Sequence, residues 1–272
     1  DYLSTLEIIG EGAFDLLQGQ ITSDMNKVTD NEICLGALCD IKGRVQSSFI
    51  VTKKPQNKDT FLLIGDKEVM KDTQEILKKY SPFYKLEMLL NDNYKFIAIN
   101  EDYLSDTFPN TDLNLNVQQQ GKFLRMHYLK KKYHLLVLNK GSTCFKDFMI
   151  SNDLNEWERD NIINEDFNIK SGDTNKYTPH ELGYHQTNRI DFEKGCYTGQ
   201  EIVARMHYRA KKLPRLLTKS IDKNETISSE VFDEEGKKIG SLLSTAKVLD
   251  TTLCLLSMNK NYEDGIIIFK GS

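Results

Sequence analysis

One unbroken stretch constrains this chain more than any other: Lys194-Gly195-Cys196-Tyr197-Thr198-Gly199-Gln200-Glu201-Ile202-Val203-Ala204-Arg205. Its two closely spaced glycines read as a tight turn, and the residues after them have helical spacing. Thr198 and Glu201 stand in the S/T-x-x-E relation of a capping box. In that arrangement the threonine hydroxyl accepts from the N–H of Glu201, and the carboxylate reaches back to the N–H of Thr198. Ile202, Val203 and Met206 supply a short apolar stripe. Cys196 precedes the expected cap by two residues and lies between Lys194 and Arg205. Neighbouring cations and a helix N-terminus favour a thiolate. A plain glycine turn around a small buried hydrophobe is the other reading of the same residues.

A chain of 272 residues is long enough for two or three units. Leu6 to Ile9 reads as a strand, and Gly10-Glu11-Gly12 turns it into a helix carrying Phe14, Leu16 and Leu17. Ile33 to Leu38 and Val45 to Thr52 read as a hairpin whose basic tip is Asp40-Ile41-Lys42-Gly43-Arg44. Thr60 to Ile64 is strand-like. Asp66 to Tyr80 is the clearest helix, with Val69, Met70, Thr73, Ile76, Leu77 and Tyr80 on one face. Phe83 to Leu90, Tyr94 to Ile99, Phe123 to Tyr128 and Tyr133 to Leu138 read as strands. Asn110 to Gly121 reads as a polar loop, and Lys130 to Lys132 as a hairpin tip. Cys144 to Met149 and Asn152 to Ile163 look helical, with Phe148 and Trp157 facing inward. After Pro214, short strands at Arg215 to Ile221, Ser229 to Phe232, Lys238 to Ser244, Thr252 to Met258 and Gly265 to Phe269 suggest a small antiparallel barrel.

The net charge of −4 gives no global case for nucleic acid or an anionic membrane, so such binding needs a local patch. One exists. From Lys194 to Arg215 the cations Lys194, Arg205, Arg209, Lys211, Lys212 and Arg215 face a single acid, Glu201, with Tyr197, His207 and Tyr208 among them. Such a patch suits an anionic ligand or a phosphate backbone, or is a solvated helix face. No apolar run reaches membrane-spanning length, and Asp1-Tyr2-Leu3-Ser4 lacks the features of a secretory signal. The five cysteines, Cys34, Cys39, Cys144, Cys196 and Cys254, show no C-x-x-C spacing, which argues against a disulfide framework or a zinc site and for a reducing cytoplasm. His180, Glu181 and His185 miss the spacing of two helical metal ligands, and no metal is expected.

Residues 194–201 resemble the K-G-C-Y-x-G-Q-E signature of the YgfZ family of folate-binding proteins, relatives of the aminomethyltransferase (T-protein) of the glycine cleavage system. Phe14 to Asp24 resembles the family's F-LQGQ-T-D segment, and Gly36 to Val45 its A-x-C-x-x-K-G-R block. The resemblance implies an α+β chain, a three-domain T-protein-like ring with a C-terminal small antiparallel β-barrel. It implies residues 1–52 and 142–212 as a discontinuous folate-binding core, 53–141 as an inserted α+β domain and 213–272 as the barrel. Tetrahydrofolate or a derivative is the implied ligand. The implied role is an accessory one in iron–sulfur cluster assembly or repair, and in iron–sulfur-dependent tRNA modification, especially methylthiolation.

The same resemblance makes Cys196 the functional thiol and Lys194 its companion. It assigns folate contacts to Tyr197, Gln200, Glu201 and Arg205, to Gln18 and Gln20, and to Lys42 and Arg44. Implied partners are folate and iron–sulfur enzymes such as tRNA methylthiotransferases, with tRNA contact a further option and no membrane. One departure stands out. Aminomethyltransferases carry an acidic pair where this chain has Ser47 and Ser48, and a hydroxyl cannot replace a carboxylate base at neutral pH. A folate-dependent aminomethyl or methyl transferase is therefore the second reading, and an RNA-binding module built on Arg205 to Arg215 the third.

Overall fold

In the computed structural model the described residues are 2–55, 57, 59–100, 117–120, 123–127, 133–141, 153–259, 262 and 265–269. The chain falls into two units, each assembled from separate segments. The first comprises Asp1–Ile150, Asn168–Lys176 and Thr187–Gln200; the second comprises Ser151–Phe167, Tyr177–Gln186 and Glu201–Ser272. The expected helix at Cys144 to Met149, Phe148 and the Lys130 to Lys132 tip lie outside the described residues.

The first unit opens with β1 (Leu3–Ile9) and α1 (Ala13–Gln20). Then come β2 (Cys34–Cys39), β3 (Val45–Lys53), β4 (Thr60–Asp66), α2 (Lys67–Lys78) and β5 (Glu87–Asn91). The strands form one antiparallel sheet in the order β2-β3-β4-β1-β5. The expected domain break at residues 52/53 falls between β3 and β4, which the structure pairs as neighbours, Ile50 opposite Ile64. The polar connection containing Pro55 is only the turn between them. α2 crosses β1, β4 and β5, burying Val69, Met70, Thr73 and Leu77. Its N-terminus is capped by Asp66, whose carboxylate accepts from the N–H groups of Glu68 and Val69, both at 3.1 Å.

A second antiparallel sheet in this unit follows the order β6-β9-β8-β7, from β6 (Tyr94–Asn100), β7 (Val117–Gln120), β8 (Phe123–His127) and β9 (Tyr133–Asn139). β7 occupies a stretch that reads as loop in the sequence. Its Val-Gln-Gln-Gln run has no apolar alternation, and an edge strand needs none. The two sheets meet at Glu7. This buried carboxylate accepts from Lys54 Nζ at 2.9 Å, Asn91 Nδ2 at 2.8 Å and the Tyr94 hydroxyl at 3.0 Å. Burial alone would raise its pKa, and the three hydrogen bonds hold it below the usual carboxylate value.

The second unit contains α3 (Leu154–Ile163) and α4 (Gln200–Arg209), the latter starting at the sequence boundary of the two units. Its strands are β10 (Arg215–Asp222), β11 (Glu230–Phe232), β12 (Lys238–Val248), β13 (Thr251–Met258) and β14 (Ile268–Phe269), in the order β10-β13-β12-β11-β14. All five strands expected from sequence are present. Where a small antiparallel barrel was expected, the described residues form a curled antiparallel sheet, with β10 and β14 as its outer strands among them. Register shifts in β11 and β12 supply the bending. Ile221, Val231, Leu256, Met258 and Phe269 pack its concave core. α3 lies on β12 and β13, fastened by Asn155, which donates to Lys247 O at 2.8 Å and accepts from Lys247 N at 2.7 Å. Trp157 on this helix is half-buried. No described helix is long and apolar enough to cross a membrane.

Three imidazoles stack inside this unit. The ring of His180 lies 5.2 Å from that of His185 and 5.9 Å from that of His207, centroid to centroid. His180 is fully buried, and burial, with the two neighbouring imidazoles, pulls its pKa down to about 4. The unfolded chain titrates near the ordinary value of 6.5. The unfolded state therefore binds the proton first as pH falls, and stability contributed above pH 6.5 is lost progressively towards pH 4. The expected loss across that window is on the order of 2–3 kcal/mol. His180→Phe removes the titrating imidazole while keeping an aromatic ring, and should flatten the urea-midpoint profile between those pH values; an unchanged profile would assign the acid sensitivity elsewhere.

Candidate functional site

Three sequence segments far apart in the chain meet in the first unit. Residues 18–24 lie against residues 189–198. Asp191 N donates to Thr22 O at 2.9 Å, the Thr22 hydroxyl donates to Arg189 O and accepts from Ala37 N, and Lys27 pairs with Asp191 at 2.5 Å. The 36–45 hairpin closes the third side. A Cβ on Gly199 would come within 2.4 Å of Asp40 O and 3.3 Å of the Gly43 Cα, so the signature loop rests directly on the hairpin turn. That turn is held by Asp40, whose carboxylate accepts from the N–H groups of Lys42 and Arg44 at 2.9 and 2.8 Å.

Lys194 is the pin of this assembly. Its ammonium donates to three backbone carbonyls, Gln18 O at 2.7 Å, Ile21 O at 2.7 Å and Ser23 O at 2.9 Å. It also lies 5.3 Å from the centroid of the Tyr197 ring. The side chain is buried, and burial lowers its pKa to about 8, partly offset by Asp24 and Asp191. At neutral pH it stays an ammonium, with three donors for three acceptors. Every donor is engaged, so Lys194 is a positioning residue for the loop.

The capping box expected at Thr198 and Glu201 does not form. The helix begins at Gln200, and Gly199 has φ +83°, a left-handed conformation that cannot start a helix. Tyr197 O accepts from Gln200 N at 3.2 Å, a turn with glycine in its third position. The Thr198 hydroxyl instead donates to Gln20 Oε1 at 3.0 Å.

Cys196 sits at the exposed crest of the loop, between buried Lys194 and buried Tyr197. The other described cysteines differ. Burial pushes the thiols of Cys34 and Cys254 up to about 11, and that of Cys39 higher still. Cys39 and Cys254 are buried in the packing, and half-buried Cys34 directs its thiol to Asp24 O at 3.6 Å. Cys196 is the exposed thiol among the described cysteines.

The expected folate ligands divide. Gln18 is consumed internally: its Nε2 donates to Asp24 Oδ1 at 3.0 Å and its Oε1 accepts from Met25 N at 2.8 Å. Tyr197 is buried under the loop, and burial raises its phenol pKa. Arg44 donates to Lys176 O at 2.8 Å. Gln200 Nε2 reaches back to Lys194 O and Gly195 O at 3.5 and 3.4 Å. Lys42 is exposed at the hairpin tip beside exposed Ile41. Gln20 keeps its Nε2 unbonded to any described residue. Glu201 and Arg205 belong to the second unit and are exposed on α4.

Ser47 and Ser48 are buried and built into the packing. The Ser47 hydroxyl accepts from Thr73 Oγ1 at 2.7 Å, and that of Ser48 from Ile169 N at 2.8 Å. Sequence reasoning missed Arg189, fully buried, whose guanidinium reaches Phe49 O at 3.4 Å and Asn168 Oδ1 at 2.7 Å. Its place five residues before Lys194 was the available signal. Also missed was a cleft of about 390 Å³ in the same unit, lined by Glu11, Phe14, Asn26, Lys53, Asp59 and Phe61 among others.

No protein-family model matches the chain. It is 25% identical to the tRNA-modifying protein YgfZ of Vibrio atlanticus (strain LGP32), over 87% of this chain and 73% of that protein. It is 27% identical to the tRNA-modifying protein YgfZ of Aliivibrio fischeri (strain MJ11), over 97% of this chain and 85% of that protein. Among solved structures it is similar to the glycine cleavage system aminomethyltransferase T from Bartonella henselae. That likeness has a TM-score of 0.71 and 13% identity, covers 94% of this chain and 76% of that one, and is a likeness of fold.

The geometry makes the loop's support testable. Lys194→Met removes the donor for three carbonyls and should lower stability by roughly 2–4 kcal/mol. Gly199→Ala should also destabilise, because its Cβ meets Asp40 O and φ is positive. Chemical denaturation followed by circular dichroism reads both, and wild-type midpoints would show that the loop does not depend on these anchors.

Proposed function

We propose that this chain, a homologue of the tRNA-modifying YgfZ proteins with the fold of the T-protein, is a folate-binding accessory protein. It supports iron–sulfur cluster assembly or repair and iron–sulfur-dependent tRNA methylthiolation through the thiol of Cys196, in the reducing cytoplasm. The observation that carries this reading is the exposed Cys196 on a loop pinned on either side by buried Lys194 and Tyr197. A thiol so presented is accessible to a large partner and held in a fixed place.

The donor set suits the anionic part of a folate. The exposed ammonium of Lys42 complements the glutamate carboxylates, and Gln20 Nε2 offers a hydrogen-bond donor at the foot of the signature loop. Lys194, Gln18 and Tyr197 act behind them as support. The transferase reading is disfavoured by Ser47 and Ser48, whose buried hydroxyls are bound to Thr73 and Ile169 and cannot act as a carboxylate base.

Two measurements test the proposal. Calorimetric titration with tetrahydrofolate should give saturable binding, weakened about tenfold in Lys42→Ala by loss of one charge-assisted hydrogen bond. A loss in Lys53→Ala with Lys42→Ala unaffected would place folate in the cleft instead. In cells that depend on this protein, Cys196→Ser should reduce methylthiolated tRNA nucleosides to the level of a deletion while folate affinity is retained. Full modification in that strain would sink the thiol's role.

A further inference from the structure

We propose that the C-terminal half of α4 and the turn after it form an RNA-binding surface. On it Tyr208 stacks an unpaired base while Arg205, Arg209 and Lys211 hold the adjoining phosphates. Arg205, Tyr208 and Arg209 are at helical positions i, i+3 and i+4 and therefore share one face. All three side chains are exposed, as is Lys211 just beyond the helix end. From Arg205 to Arg215 the chain has five Lys and Arg residues and no acid, within a protein of net charge −4.

The cations of this face are uncommitted. Several exposed lysines elsewhere are paired, Lys71 with Glu68, Lys78 with Glu75 and Lys238 with Glu230, although not all are. Arg205, Arg209 and Lys211 make no side-chain ion pair, hydrogen bond or ring contact with any described residue. A helix C-terminus accounts for Arg209, which complements the dipole. It does not account for Lys211 outside the helix, nor for the ring of Tyr208.

Tyr208 is 64% exposed, yet its ring is supported. The His207 ring meets it at 5.1 Å and 83°, and the same imidazole stacks at 5.9 Å and 27° on His180, which is fully buried. The exposed aromatic thus stands at the end of a column of rings rooted in the interior. Holding a flat ring in water beside arginines is what base stacking requires, because each base offers a π face and each phosphate a charge. An anionic membrane would call for large exposed apolar residues among the cations. Here Met206 and Ala210 are half-buried, and Tyr208 is the one exposed ring from 205 to 215.

The inference does not rest on the folate reading. The test uses the full chain and a fluorescently labelled, unmodified tRNA transcript, with anisotropy read across a salt series. Three phosphate contacts predict a slope of log K against log salt of about −2 to −3. Arg209→Ala and Lys211→Ala should each reduce that slope by about 0.7–0.9. Tyr208→Ala should weaken binding about five- to a hundredfold with the slope unchanged. A blunt RNA duplex of equal length, which offers no unpaired base, should bind more weakly than the tRNA. Equal binding of tRNA, duplex and polyglutamate would overturn the proposal in favour of a general polyanion site. So would tRNA affinity untouched by the three substitutions. Thermal melting checks that the variants fold, and tetrahydrofolate titration of the same variants, expected to be unchanged, keeps failure of this proposal distinct from failure of the folate reading.

Discussion

The first unit depends on one buried ammonium. α1 ends with carbonyls that its own turns cannot satisfy, and its last turn contains no basic residue to help. Lys194, 176 residues further along, supplies the cation. It bonds Gln18 O in that last turn and then Ile21 O and Ser23 O beyond it. One side chain therefore terminates a helix, fixes the path into β2 and fastens the signature loop. Burying a charge is costly unless its donors are satisfied. Three carbonyls, with Asp24 and Asp191 nearby, meet that condition, and the arrangement is favourable only when all three segments are in place. The chemistry of the loop is thereby coupled to the folding of residues 18–24.

What could be read from sequence follows from whether a signal is local. α2 was largely legible, because Val69, Met70, Thr73 and Leu77 repeat at helical spacing; the helix stops at Lys78, short of the expected Tyr80, and Ile76 is only half-buried. The strands of the second unit were legible for the same reason. Pairing was less so. That β4 joins β1 and β3 depends on contacts across Pro55 and its polar neighbours, which read as a linker. The Thr198 capping box was a sound local reading that tertiary packing overrode. Gly199 is forced into a left-handed turn against Asp40, and the hydroxyl finds Gln20 across the site. The spatial meeting of the three quoted segments could be inferred only through the family resemblance, since no periodicity links residue 20 to residue 198.

Ser47 and Ser48 show how a buried strand accommodates polar side chains. On a buried strand a carboxylate must be solvated by partners or it protonates. A serine needs one donor or acceptor, and here each hydroxyl accepts from a neighbour, Thr73 on α2 and the backbone of Ile169. Both hydroxyls thereby join β3 to the elements packed against it. The likeness to an aminomethyltransferase is one of architecture, and at this strand the two hydroxyls serve packing.

The two glycines of the signature loop carry different burdens. Gly199 is required by the fold itself, through its positive φ and its contact with the hairpin turn. Gly195 is required by neither. A Cβ there would meet nothing within 4 Å, and its φ is not in the left-handed region. Gly195 adjoins the thiol, and what its missing side chain leaves is clearance beside Cys196. The loop thus sets an open element directly beside an anchored one: the space at Gly195 is free, while Lys194 and Tyr197 on either side of Cys196 are buried in the fold.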